Sequence, residues 1–162
     1  MPVHNIPPVY DARSAVLILG SFPSVKSREQ QFFYGHKQNR FWRVLSRVLD
    51  SPEPQSIPEK KELLLSHGIA VWDVIASCSI TGSSDASIQN VIPNDITRIL
   101  EAADIQQIFS NGGKSYELYR KYLYPQTGRE AIKLPSTSPA NAAFSVERLA
   151  ESWAVIRQYA IV

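Results

Sequence analysis

Cysteine is nearly absent from this chain: Cys78 is the only one in 162 residues. An internal disulfide is excluded, and so is a four-cysteine iron–sulfur cluster or zinc site. Histidine is scarce as well. His4, His36 and His67 are widely scattered, at no metal-ligand spacing, so no metal is expected. No apolar run approaches the roughly 20 residues of a membrane-crossing helix. The opening Met1-Pro2-Val3-His4 has no charged segment leading into an apolar one, so no secretory signal is expected and a cytoplasmic protein is the default. A Gly-rich phosphate loop of the form G-x-x-x-x-G-K-[ST] is also missing, which counts against a small-nucleotide-binding α/β domain.

Acidic residues are few in one region. Between Lys26 and Arg47 the cations are Lys26, Arg28, Lys37, Arg40, Arg43 and Arg47, and the sole acid is Glu29. The net charge of the whole chain is only +2, yet a local basic surface attracts phosphates whatever the total. Taken alone, the same pattern also describes a solvated helix face. The remaining composition, 44% hydrophobic and 20% charged, is that of an ordinary globular protein, and the length suits a single domain spanning residues 1–162.

Apolar runs and helical periodicity alternate along the chain, which predicts a parallel sheet with helices on both faces. Strands are expected at Ala15–Leu19, Ile69–Ile75, Ile105–Ser110 and Ala131–Leu134. Helices are expected near Arg40–Leu49, Glu59–Ser66, Asp95–Ala102, Tyr116–Tyr122 and Val146–Tyr159, with Ser51–Pro58 as a proline-rich surface loop. Asn39 and Ser145 are candidate N-caps, and Gly68 is a candidate C′ residue. The result is an α/β/α sandwich around four parallel strands.

In such a sheet ligands bind beyond the carboxyl ends of the strands, and the loops there are chemically distinctive. They are Gly20-Ser21-Phe22-Pro23, the stretch from Trp72-Asp73 toward Gly82-Ser83-Ser84-Asp85, Asn111-Gly112-Gly113-Lys114, and Pro135-Ser136-Thr137-Ser138-Pro139-Ala140-Asn141. All four are expected to gather on one edge of the sheet and to build a single cleft. Phe32-Phe33-Tyr34 cannot all point inward, so at least one of them lines a surface or cleft. Aromatic faces, a side-chain amide and cations are the parts needed to hold an everted nucleobase beside a phosphate backbone.

Together these segments resemble the uracil-DNA glycosylase superfamily, and within it the DNA-deoxyinosine (hypoxanthine-DNA) glycosylases. Gly20-Ser21-Phe22-Pro23-Ser24 resembles the first motif. Tyr34-Gly35-His36-Lys37-Gln38-Asn39-Arg40-Phe41-Trp42 resembles a segment shared with mismatch-specific glycosylases, which usually carry proline at the position of Lys37. Gly68-Ile69-Ala70-Val71-Trp72-Asp73-Val74 resembles the base-recognition strand, Asn111-Gly112-Gly113-Lys114 the third-strand turn, and Leu134-Pro135-Ser136-Thr137-Ser138-Pro139 the second catalytic motif. The ordered matches run from Val16 to Ala143.

Two departures shape what the resemblance implies. Phe22 stands where many members place a catalytic Asn or Asp, and Leu134 where uracil enzymes often have a histidine. Neither side chain orients water or stabilises an oxyanion, which counts against the usual uracil chemistry. In the hypoxanthine branch the catalytic amide comes from the later Asn, here Asn39. Its carbonyl would hold the attacking water, or its NH2 would donate to the base; the plain alternative is a helix cap.

The resemblance implies base contacts at Gly20, Ser21, Phe22, Pro23, Tyr34, Asp73 and Asn111, and DNA contacts at His36, Arg40, Lys114, Ser136, Thr137 and Ser138. Tyr34 would stack on the base, with Phe33 or Phe22 as a second wall. The Asp73 carboxylate would accept from the N1–H of a 6-keto purine; otherwise it bonds loop amides at a strand end. Asn111 also fits a simple left-handed turn, His36 a surface position, and Asp85 a turn or a reserve acid. The implied protein is a monomeric, cofactor-free DNA glycosylase acting on double-stranded DNA that contains a deaminated base. A uracil or mismatch glycosylase of the same fold and a non-catalytic binder of damaged DNA are the alternatives.

Overall fold

The computed structural model describes residues 6–80 and 87–161. The first strand, β1 (Val16–Gly20), is buried along its whole length. An unbroken apolar run of this kind is what a strand covered on both faces requires, and full burial of each Val, Leu or Ile side chain contributes about 1.5–3 kcal/mol. After the Gly20-Ser21-Phe22-Pro23 turn comes α1 (Val25–Gln30), a helix that the sequence pattern does not predict. It has no apolar stripe, and Ser27 is its one buried residue. What holds it is Ser24, whose hydroxyl accepts from the Ser27 amide at 3.1 Å, and a left-handed stop at Gln31.

Helix α2 (Phe41–Val48) buries Phe41, Trp42, Val44, Leu45 and Val48 on one stripe. Helix α3 (Ile57–Ser66) begins two residues before the expected start, inside the stretch expected to be a loop. At its start the Ser56 hydroxyl accepts from the Glu59 amide at 3.2 Å, and the Glu59 carboxylate accepts from the amide of Gln55, one residue before the cap, at 3.4 Å. Gly68, at φ +67°, closes the turn into β2 (Ile69–Asp73).

The single strand expected at Ile69–Ile75 is broken. β2 stops at Asp73, and β3 (Ile75–Ser79) leaves the main sheet to pair antiparallel with β4 (Gln89–Pro93), a strand not expected from the sequence. Asn94 fixes this departure by donating from its backbone to the Val74 carbonyl at 2.8 Å and from its side chain to the Asp73 carbonyl at 2.9 Å. The Gly82-Ser83-Ser84-Asp85 stretch, with the reserve acid Asp85, lies outside the described residues, as does His4.

The chain continues through α4 (Thr97–Ala102), β5 (Gln107–Asn111) and α5 (Gly113–Leu118). The helical path runs on through a π-type turn at Tyr119–Leu123 into α6 (Tyr124–Thr127), and then to β6 (Ala131–Leu134). Last comes α7 (Val146–Trp153), capped by Ser145 as expected, with its final turns tightening to 3₁₀ over Ala154–Gln158. The main sheet has the order β2-β1-β5-β6, all parallel, with helices flanking it. Helix α2 packs on α7, α3 against β2, and α5 against β5 and β6. Among the described residues no helix is long and apolar enough to cross a membrane.

The sheet register aligns the strand ends. Gly20 pairs with Asp73, Leu19 with Ser110, and Asn111 with Leu134. The carboxyl ends of β1, β2, β5 and β6 therefore emerge on the same edge.

Candidate active site

A cavity of about 340 Å³ opens on that edge. Its wall draws on the carboxyl end of every strand of the main sheet: Gly20 to Ser24 at and after β1, Asp73 at the end of β2, Asn111 at the end of β5, and Ser136 to Ala140 after β6. The segment between α1 and α2 adds Phe33, Tyr34, His36 and Asn39. Residues far apart in sequence thus share one concavity of a size that suits a small ligand.

Two features build the floor. Gly20 has no side chain where the Asp73 carboxylate and the Tyr34 hydroxyl converge; a Cβ there would collide with Asp73 Oδ1 and lie 3.2 Å from the Tyr34 hydroxyl. Asp73 itself is 3% exposed. Tyr34 takes a left-handed backbone, φ +52°, uncommon for a bulky residue. Its ring stacks on Phe41 at 3.9 Å between centroids, edge-on to Trp42 at 6.5 Å. Phe32 and Phe33 go into the core, so of the three consecutive aromatics Tyr34 is the half-buried one. Burial, then the Asp73 carboxylate, push the Tyr34 hydroxyl well above the ordinary tyrosine range, against a smaller opposing pull from Asn111.

Another part of the wall is a directed set of hydrogen bonds. Asn39 Oδ1 accepts from the Phe41 amide at 3.0 Å and from the Thr137 hydroxyl at 2.8 Å. Asn39, expected as the N-cap, sits one residue before the cap position, because α2 starts at Phe41 and Arg40 is the residue that flanks it. Asn111 Oδ1 accepts from the Thr137 amide at 3.1 Å, and Asn111 Nδ2 donates to the Thr137 hydroxyl at 3.0 Å. Thr137 is fully buried. Gly112, at φ +96°, lets the chain pass Ser136, where a Cβ would come within 3.0 Å of the Ser136 side chain.

The other residues expected on DNA divide. Ser136 and Ser138 are half-buried on the cavity rim, where each hydroxyl also accepts a loop amide two residues on, at 3.1 Å. His36 is exposed on the same rim; its Nδ1 accepts from the Gln38 amide at 3.1 Å, which leaves Nε2 carrying the proton in the neutral ring. Arg40 turns inward. Its guanidinium donates to the carbonyls of Phe144, Ser138 (2.7 Å) and Asn141 (2.9 Å), and its backbone amide to the carbonyl of Thr137 (3.0 Å). Lys114 lies outside the cavity wall, 3.6 Å from Glu117. Thr137 likewise spends its hydroxyl on Asn39 rather than on the surface.

One anchor of this loop, Trp153, is not predicted by the motifs; its indole donates to the Pro135 carbonyl at 2.9 Å. A tryptophan on the buried stripe of the last helix is the available signal. Among the described residues no group of three His, Cys, Asp or Glu side chains is arranged to hold a metal ion.

Comparison with known proteins finds relatives over nearly the whole chain. A hypoxanthine DNA glycosylase of Methanosarcina acetivorans is 37% identical over 155 residues, covering 94% of this chain and 97% of that protein. One of Methanosarcina barkeri is 32% identical over 157 residues, covering 95% and 97%. A solution NMR structure of a Methanosarcina acetivorans protein, described as a candidate uracil DNA glycosylase, superposes with a TM-score of 0.80 at 35% identity, covering 94% of this chain and 95% of that one. The family model of the uracil DNA glycosylase superfamily matches residues 7–158. This chain belongs to the uracil DNA glycosylase superfamily.

Proposed function

We propose that this protein is a monofunctional, monomeric DNA glycosylase that everts deoxyinosine from double-stranded DNA and hydrolyses its N-glycosidic bond. Hypoxanthine leaves and an abasic site remains. The C1′–N9 bond breaks with its electron pair passing to the base; a water oxygen bonds C1′, and the proton that water gives up ends on the released purine. The observation that carries the reading is that the Asp73 carboxylate and the Asn39 amide, 34 positions apart in sequence, line one cavity. A carboxylate accepts from the N1–H that a 6-keto purine presents. A fixed amide stabilises the charge that develops as the bond breaks, a contribution of about 3 kcal/mol for one preorganised group.

Support comes also from the two Methanosarcina relatives, both named hypoxanthine DNA glycosylases. Phe22, 8% exposed on the cavity wall, supplies apolar surface where a uracil enzyme would carry a polar catalytic group. Tyr34 and Phe22 are the aromatic walls for the base, and Gly20, Ser21 and Pro23 shape the pocket around it. Ser136, Ser138 and His36 are the rim donors for the phosphate backbone. Eversion costs a few kcal/mol and is least costly at a mispaired base, which adds selectivity.

The test is base release from duplexes bearing one inosine, uracil or xanthine, by the parent and by Asn39→Ala with folding verified. Release of hypoxanthine by the parent, with a loss of about a hundredfold or more in the variant, is the expected result. Binding to inosine duplex without any alkali-labile site would instead identify a non-catalytic lesion binder. Preferential release of uracil would identify the uracil or mismatch activity that the description of the NMR relative suggests.

A further inference from the structure

The hydrogen bonds around Asn39 determine which of its two polar atoms meets the substrate. A backbone N–H can only donate, so the atom facing the Phe41 amide at 3.0 Å is the carbonyl oxygen, and the amide cannot be turned over without leaving that donor facing an NH2. The same logic fixes Asn111, whose oxygen faces the Thr137 backbone amide at 3.1 Å and whose Nδ2 therefore faces the Thr137 hydroxyl at 3.0 Å. That hydroxyl already receives a proton from Asn111. Its own hydrogen goes to the acceptor 2.8 Å away, Asn39 Oδ1. Every proton in the row is thus assigned by a main-chain amide at each end.

A carbonyl oxygen has two lone pairs, and both on Asn39 are occupied. Its Nδ2 has no protein hydrogen bond among the described residues and belongs to a residue on the cavity wall. Resting on the function proposed above, we infer that Asn39 enters the reaction as an N–H donor to the departing purine rather than as the acceptor that holds the attacking water. Thr137 is the positioning residue that makes it so, and Asn111 aligns Thr137. A 6-keto purine offers N3, N7 and O6 as acceptors, and these gain electron density as the C1′–N9 bond breaks. An N–H aimed at one of them binds more tightly in the transition state than in the ground state, which is the condition for acceleration. Donation to the attacking water would lower its nucleophilicity.

The deciding variant is Asn39→Asp. A carboxylate keeps both acceptor bonds, to the Phe41 amide and the Thr137 hydroxyl, and supplies no donor. Single-turnover release of hypoxanthine from an inosine duplex, at saturating enzyme, should fall about a hundredfold or more, as for Asn39→Ala. Thr137→Val removes the hydroxyl at nearly constant shape and should slow the same step roughly tenfold or more with little change in duplex affinity, because a misdirected group loses rate before binding. Thr137→Ser should restore most of that rate. An Asn39→Asp enzyme as fast as the parent, or a folded Thr137→Val enzyme as fast as the parent, overturns the inference. If Thr137→Val fails to fold, Asn39→Asp decides alone. A parent that releases no hypoxanthine overturns the function itself, a result distinct from an active parent whose aspartate variant is equally active.

Discussion

Gly20 and Asp73 are register partners at the ends of adjacent parallel strands, and the Asp73 carboxylate fills the space that a side chain on residue 20 would need. Glycine here is a requirement of close approach, since its backbone shows no left-handed φ. Gly20→Ala should therefore displace Asp73 and cost about 1–3 kcal/mol in stability through overpacking. Chemical denaturation measures this, and hypoxanthine release should fall with it. Gly113→Ala is the matched control. Nothing lies within 4 Å of a Cβ there, and the residue opens α5, so the variant should be neutral or more stable by up to about 1 kcal/mol.

Arg40 ties the loop after β6 to the start of α2 through the carbonyls of Ser138, Asn141 and Phe144. A lysine has neither the fork nor the donor count to replace it. Arg40→Lys should lower stability by about 1–3 kcal/mol and slow base release. Were Arg40 instead neutralising a DNA phosphate, its replacement by glutamine would make the salt dependence of duplex binding shallower by about 0.9 in log–log slope. The expected outcome for a folded Arg40→Gln protein is an unchanged slope; a shallower one would return Arg40 to the DNA surface.

Tyr34 has a buried hydroxyl without a well-formed hydrogen bond among the described residues, held protonated by burial and by Asp73. Its folded-state pKa is raised above the unfolded value of 10.0. The folded form therefore keeps a proton that the unfolded chain loses. By linkage this contribution is fully present below pH 10 and is lost as pH rises above it. Tyr34→Phe should match or exceed the parent in stability at neutral pH, because it deletes an unsatisfied buried polar atom. Its melting temperature should also fall less steeply than the parent's between about pH 10 and 11. A variant that tracks the parent across that window would contradict the assignment.

Asp73→Asn exchanges an acceptor-only group for one that both donates and accepts. The ratio of hypoxanthine to uracil release, measured on matched duplexes, should fall by about tenfold, the worth of one hydrogen bond to a charged group.

The main sheet was legible because its strands are short apolar runs and its major helices have a buried stripe or a recognisable cap, as at Ser145 and Gly68. Helix α1 was not, since a Ser24 hydroxyl and a left-handed Gln31 hold it rather than any apolar period. The β3–β4 hairpin was hidden because Ile75 continues the apolar run of β2; the break depends on Asn94, a residue 21 positions beyond Asp73. In the site, the identity of the groups was visible from motif order, while their direction was not. Arg40 and Thr137 have the side chains of phosphate ligands, and only the folded loop turns them inward.

Sequence alone determined the layered α/β arrangement, the edge of the sheet on which the cavity opens and the residue types that line it. Those follow from periodicities of about two and 3.6 and from the rule that strand ends in a parallel sheet share a side. The tertiary structure alone decided which way each polar group faces. Orientation depends on hydrogen bonds between residues 98 positions apart, such as Asn39 and Thr137, and no local pattern encodes a partner at that distance.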